Sequence, residues 1–395
     1  MKQRLYVLLL LTTILRIIGD AVESIALPWH LLNETTSLLS VAGYSLASML
    51  PWVIAPPLMG RFLDRTEKKV RLAFIALFIQ SFFALTIIKF ASNIWAFYVL
   101  ISLISALDVL HRYFGFTLIA SMTLEESELQ KLNAKVQTVG EVTSLVVFPV
   151  VGYLAYLFGI KLMLLDAVFL LIGALLLIPY LNVTVRREET IGERSELVQS
   201  RISNITVFVG IALVLLFNFA IAPARIFIFS ALKNLTTGEI VYGLLNSVGT
   251  LGSLAGAIGI TLFAHKRKIR ISKPLIIGML LESLGVLLLG LPSLVLLFAG
   301  ILILNFGRQV LNISFDSLFQ RIIPLEKLGT YKGIFDALAT LIIPVSQLTF
   351  AWLIEHDVGV SMLAVGVFGF GVLSTVGFFI LVHSIKKMAF TKEEV

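Results

Sequence analysis

Residues 5–31 read LYVLLLLTTILRIIGDAVESIALPWHL. The run is long enough to cross the hydrocarbon of a bilayer, which takes roughly 20 apolar residues, yet Arg16, Asp20 and Glu23 stand inside it. At i, i+4 and i+7 the three share one face of a helix. Lys2 and Arg4 ahead of the run resemble the start of a secretory signal, but a signal's hydrophobic region is short and uncharged, so the segment reads as a retained membrane helix. A charged face on such a helix needs neighbours to turn towards, and the rest of the chain must supply them.

Composition does so. Of the 395 residues, 58% are hydrophobic and 14% charged, and the mean hydropathy is +0.98. A soluble domain carries about 25% charge, so the solvent is a bilayer. The 29 Phe and 28 Gly suit lipid-facing helices with close-packing seams between them. Interruptions by charge, Pro-Gly pairs and polar clusters cut the chain into further spans at 38–60, 71–90, 94–120, 133–157, 161–183, 204–231, 239–264, 274–291, 293–316, 329–354 and 359–384, twelve with the first. The fold expected is an all-α polytopic membrane protein.

Positive residues accumulate in cytoplasmic loops. With both termini placed inside, only Lys89, Lys161 and Lys233 of the 31 basic residues fall on the outer side, and Arg16, Arg112, Arg225 and Arg308 fall within spans. The net charge of +7 thus marks topology, with anionic lipid as a secondary partner, and gives no case for nucleic acid. The chain contains no Cys, which removes disulfides, thiolate metal cages and Cys nucleophiles. It also lacks the phosphate-binding Gly-Lys-Ser/Thr loop, His-Glu-x-x-His and Gly-x-Ser-x-Gly, so neither ATP-driven pumping nor enzymatic activity has support, and no cofactor or bound metal is expected.

The longest polar interruption, residues 186–203 (RREETIGERSELVQSRIS), lies near the middle. The two sides match. Asn33-Glu-Thr-Thr36 follows the first span and Asn234-Leu-Thr-Thr237 the seventh; Glu141 precedes Pro149 by eight residues, and Asp336 precedes Pro344 by eight. Six-plus-six duplication is one known transporter plan. It predicts a bundle over 1–185, a cytoplasmic linker over 186–203 and a second bundle over 204–395.

The segment Gly60-Arg-Phe-Leu-Asp-Arg-Thr-Glu-Lys-Lys69, between the second and third spans, resembles the cytoplasmic loop motif of the major facilitator superfamily, with Glu67 where the family usually has Gly. Gly19-Asp20 and Ala26-Leu-Pro28 in the first span, Glu-Leu-Gln-Lys-Leu-Asn133 at the entry to the fifth and Pro149-Val-Val-Gly152 within it are similar to the multidrug and siderophore exporters of that superfamily, of the enterobactin-exporter type. The resemblance implies two pseudo-twofold-related six-helix bundles, spans 1, 4, 7 and 10 lining a central cavity, and spans 3, 6, 9 and 12 on the periphery. It also implies that Gly60, Asp64, Arg65, Lys68 and Lys69 form a gating loop on the inner side.

Ionisable residues in hydrocarbon are functional candidates by default. Most fall on the spans expected to line the cavity; spans 6 and 9 carry only Asp166 and Glu282. Asp20 and Glu23 are placed to compete for one proton near a cationic substrate, or Asp20 simply pairs with Arg16. Span four offers Asp108 and Arg112 at i, i+4, with His111 beside them. Span ten shows Asn305, Arg308, Gln309, Asn312 and Asp316 at i, i+3, i+4, i+7 and i+11, a polar stripe that is either a substrate-lined wall or an interhelical seam. Glu141 and Asp336 are proton or cation sites, or else salt-bridge partners of Arg112 and Arg308, and Asn218 adds a polar group in span seven. Gly249, Gly252, Gly256 and Gly259 follow helical spacing and are expected to pack rather than bind.

These readings converge on a monomeric secondary transporter of the cell membrane, an antiporter exporting a small amphipathic or cationic molecule with protons as coupling ion. A ferroportin-like divalent-metal transporter is the alternative on the same fold. A receptor that binds without transporting is a third.

Overall fold

The computed structural model describes residues 2–64, 69–120, 126–182, 204–266, 272–322 and 325–390, with side chains over 6–55, 70–111, 132, 135–182, 209–260, 262, 273–316 and 335–381. Thirteen α-helices account for nearly all of the described residues. They are α1 (Lys2–Thr35), α2 (Leu38–Asp64), α3 (Lys69–Lys89), α4 (Ile94–Ala120), α5 (Glu126–Phe158), α6 (Met163–Leu177), α7 (Asn204–Ile221), α8 (Ala224–Leu232), α9 (Gly238–Lys266), α10 (Ser272–Leu289), α11 (Leu294–Ile322), α12 (Leu325–Glu355) and α13 (Val360–Phe390). Nine stretches among these residues are long and apolar enough to cross a membrane, and one of them, Lys135–Tyr180 at 46 residues, takes in both α5 and α6. The two remaining spans are α1, with its three internal charges, and α10. The protein is an all-α polytopic membrane protein.

Each expected span finds a helix, with instructive differences at the edges. Helix α5 begins at Glu126, ahead of the apolar limit at 133, because the stretch ESELQKLNAK is too polar for hydrocarbon but made largely of good helix formers. The seventh span is not one helix. Pro223 has no N–H to donate, and the chain breaks there into α7 and α8. The break is stitched to α12: Gln347 Nε2 donates to the Ala222 carbonyl at 3.1 Å and Ser346 Oγ to the Phe219 carbonyl at 2.6 Å. Pro28, Pro149 and Pro344, by contrast, lie within continuous helices.

The chain divides into two compact units, Met1–Gly192 with Leu235–Ser247, and Glu193–Asn234 with Val248–Val395. In the first, α1 packs on α5 and α6, α2 on α4, and α3 on α4 and α6. In the second, α7 packs on α12 and α13, and α10 on α11 and α13. Four of these contacts correspond: α1 with α5 and α6 matches α7 with α12 and α13, and α3 with α4 and α6 matches α10 with α11 and α13. The proposed linker at 186–203 lies outside the described residues, as do the side chains of Asp64 and Lys69 and the whole of Arg65 and Lys68, while Gly60 lies in α2.

Small residues set the closest seams. A Cβ on Gly278 of α10 would stand 2.8 Å from the Gly307 carbonyl oxygen and 2.8 Å from the Leu311 nitrogen, and one on Gly307 would stand 2.6 Å from the Glu282 nitrogen. The backbones of α10 and α11 therefore touch directly. The glycine row of α9 does the same against α11, Gly252 meeting Leu302, Gly256 meeting Phe306 and Gln309, and Gly259 resting on the Phe306 ring, so these glycines pack as expected. Large apolar side chains such as Trp95, Val295 and Met362 remain exposed on the outside of the helices, where lipid would cover them. Because overpacking costs about 1–3 kcal/mol, Gly278→Val is expected to lower the melting temperature of the detergent-solubilised protein by several degrees. An unchanged melting curve would contradict the contact.

Candidate functional site

The first unit gathers its charges around α1. Arg16 Nη1 reaches both carboxylate oxygens of Asp20, at 3.2 and 3.1 Å, one helical turn on. The same nitrogen donates to Asp108 Oδ1 of α4. One guanidinium thus binds two carboxylates from different helices, and Arg16 and Asp108 are largely buried while Asp20 is 38% exposed. Glu23 lies within the influence of Asp166, Asp20, Asp108 and Arg16. Successive residues of an α-helix turn by about 100°, so Gly19, Glu23, Arg16 and Asp20 follow one another around one side of α1.

The expected members of the site fall into place unevenly. Asp20, Glu23 and Asp108 come together, but Asp108 takes Arg16 as its partner where sequence spacing offered Arg112, whose side chain lies outside the described residues. His111 is buried. Glu141 is half-buried on α5, and a Cβ on its neighbour Gly140 would stand 3.3 Å from the Ile17 side chain of α1. Asp166, set aside as peripheral, is fully buried at 0% exposure and belongs with the array. A lone acid in an otherwise apolar helix had carried the signal: it cannot face lipid, so it must face inward.

In the second unit Arg308 Nε donates to Glu282 Oε1 of α10 at 3.0 Å. Glu282 is the other acid that the sequence assigns to the periphery. The polar stripe of α11 divides between its two readings. Asn305 donates to the Ile301 carbonyl at 2.9 Å and lies with Gln309 against the glycines of α9, which is the behaviour of a seam. Arg308, Asn312 and Asp316 are exposed, as a wall facing water or substrate would be. Asn218 sits half-buried at the end of α7, its carbonyl accepting from the Ala222 nitrogen at 2.9 Å just before the break, and Asp336 is exposed on α12. Among the described residues, no group of three or more His, Cys, Asp or Glu is arranged to hold a metal ion.

A duplicated helical bundle with charge neutralised inside it is the architecture of a membrane transporter. The chain belongs to the Major Facilitator Superfamily, whose model matches residues 9–347. Among solved structures it is similar to the nucleoside transporter NupG, with a TM-score of 0.78 at 12% identity over 96% of this chain and 99% of that one. It is also similar to a bacterial homologue of the iron transporter ferroportin in an inward-facing state, with a TM-score of 0.70 at 16% identity over 96% and 98%. A third is a POT family transporter in complex with 5-aminolevulinic acid, at 0.69 and 13% over 97% and 96%. At such identities the likeness is one of fold. No curated protein sequence matches the chain.

Removing one partner of a buried ion pair costs about 3–5 kcal/mol, because the other charge is left uncompensated. Arg16→Met is therefore expected to destabilise the protein strongly, and adding Asp108→Asn to recover part of the loss. Thermal unfolding of the four members of this double-mutant cycle measures the coupling; strictly additive losses would show that the pair contributes nothing.

Proposed function

We propose that the protein is a proton-coupled antiporter that exports a small amphipathic or cationic organic molecule by alternating access. The observation that carries the reading is the imbalance on α1: a single guanidinium, Arg16, serves both Asp20 and Asp108, with Glu23 beside them and Asp20 partly open. An incoming cation and a proton compete for the same surplus of negative charge, so that binding one favours release of the other. Such competition is the minimal chemistry of an antiporter. Arg308 with Glu282, and the exposed Asn312 and Asp316, give the second unit polar groups for the cargo.

The remaining assignments follow from the same reading. Residues 1–185 and 204–395 form the two moving bundles and 186–203 their cytoplasmic linker. Both termini face the cytoplasm of the cell membrane, and Asp64 with its neighbouring bases closes the inner side. The resemblance of its motifs to those of multidrug and siderophore exporters supports an organic cargo over a metal ion.

Flux of a lipophilic cation such as tetraphenylphosphonium into and out of proteoliposomes tests this. A pH gradient is expected to drive accumulation several-fold beyond equilibration, with the direction reversing when the gradient is reversed. Flux indifferent to the gradient would reject coupling. Heat evolved with divalent metal ions and lost in Asp20→Asn would favour the metal-transporting alternative instead.

A further inference from the structure

Asp166 belongs with the array around α1 but takes no part in its hydrogen bonds. It stands in the first turn of α6, where the helix N-terminus lends a favourable potential to negative charge, yet neither carboxylate oxygen receives a hydrogen bond among the described residues, and both are sealed from solvent. Its side chain reaches across to α1 at Gly19: a Cβ there would collide with Asp166 Oδ1. Glycine at 19 leaves the space that the carboxyl fills, beside Asp20 in sequence and one turn from Glu23.

The groups around Asp166 have the wrong sign for a carboxylate. Glu23 faces it, and Asp20 and Asp108 bear on it, while Arg16 acts on Glu23 and is engaged with Asp20 and Asp108. Helix α3, which also packs on α6, carries its charges Lys69, Arg71 and Lys89 at its two ends, and α5 contributes Glu141, another acid. Among the described residues no cation is paired with Asp166, and Lys161, in the turn before α6, is exposed. Two facing carboxyls satisfy one another only when at least one is protonated, since an ionised carboxylate offers acceptors alone.

We propose that Glu23 and Asp166 together bind a proton, as a carboxyl pair on the α6-facing side of α1, and that this pair is the coupling site. Around α1 the pair is separated from the open Asp20 by Arg16, so the proton and the organic cation occupy adjoining positions that share one guanidinium. A cation drawn to Asp20 competes with Arg16 for that carboxylate and frees the guanidinium to compensate an ionised Glu23. The proton then leaves to water. The α6 helix, peripheral by its place in the bundle, thereby holds half of the proton site.

The coupling role rests on the antiporter reading, whereas the proton itself does not, and two readouts separate them. Infrared spectroscopy of the reconstituted protein detects a buried protonated carboxyl by its C=O stretch. The wild type is expected to show this band at neutral pH, and Asp166→Asn and Glu23→Gln each to remove or shift it; no band in the wild type, or a band unaltered in both variants, would overturn the site. The second readout is the dependence of tetraphenylphosphonium flux on the pH gradient, compared within each variant against its own flux without a gradient. Both variants are expected to lose that dependence, and either one keeping it in full would overturn the coupling role. Should Asp166→Asn fail to fold, Glu23→Gln carries both measurements. If wild-type flux ignores the gradient, the antiporter reading fails while the infrared result still decides whether the pair binds a proton.

Discussion

Every charge placed in hydrocarbon must be neutralised by something within reach, and this constraint organises the protein. A charged residue at a helix centre costs about 2.5–3.5 kcal/mol on insertion scales even when it can find relief. Arg16 answers it by holding Asp20 on its own helix and Asp108 on α4, and Arg308 answers it with Glu282. Among the described residues around α1 the acids outnumber the bases that serve them. That surplus separates a static structural ion pair from a site with an exchangeable counter-charge.

Glycine makes these arrangements possible in both units, and by a similar device. Gly19 precedes Asp20 and gives Asp166 of α6 room to approach α1; Gly307 precedes Arg308 and lets the backbone of α10 approach α11 at Glu282. In each case the missing Cβ stands one residue before a charged group and admits an acid from a helix assigned to the periphery. Close packing and charge compensation are therefore one design problem here. A larger residue at either glycine would separate the helices and strand the acid.

How much was legible in the sequence follows from what spacing can and cannot reveal. Apolar run length found the helices, and i, i+4 spacing found the Arg16–Asp20 pair, because both are properties of one segment. The partner of Asp108 was not legible: Arg112 stood one turn away in sequence, but the helix packing brought Arg16. Asp166 and Glu282 were seen and set aside, since an isolated acid in an apolar helix has no local pattern to explain it. The stripe of α11 was recognised as polar, yet only packing against the glycines of α9 shows that Asn305 and Gln309 serve the seam. The break at Pro223 was missed because the run stays long enough and apolar enough to span through it, with Arg225 its single charge.

The central claim is that an array of carboxyls around one guanidinium exchanges a proton for a cation. Its most direct measurement is proton release on cation binding, followed with a pH-indicator dye in weakly buffered solution as tetraphenylphosphonium is titrated into the detergent-solubilised protein. Protons appearing in proportion to the cation bound are the result expected. Saturable binding of the cation with no proton released would contradict the account.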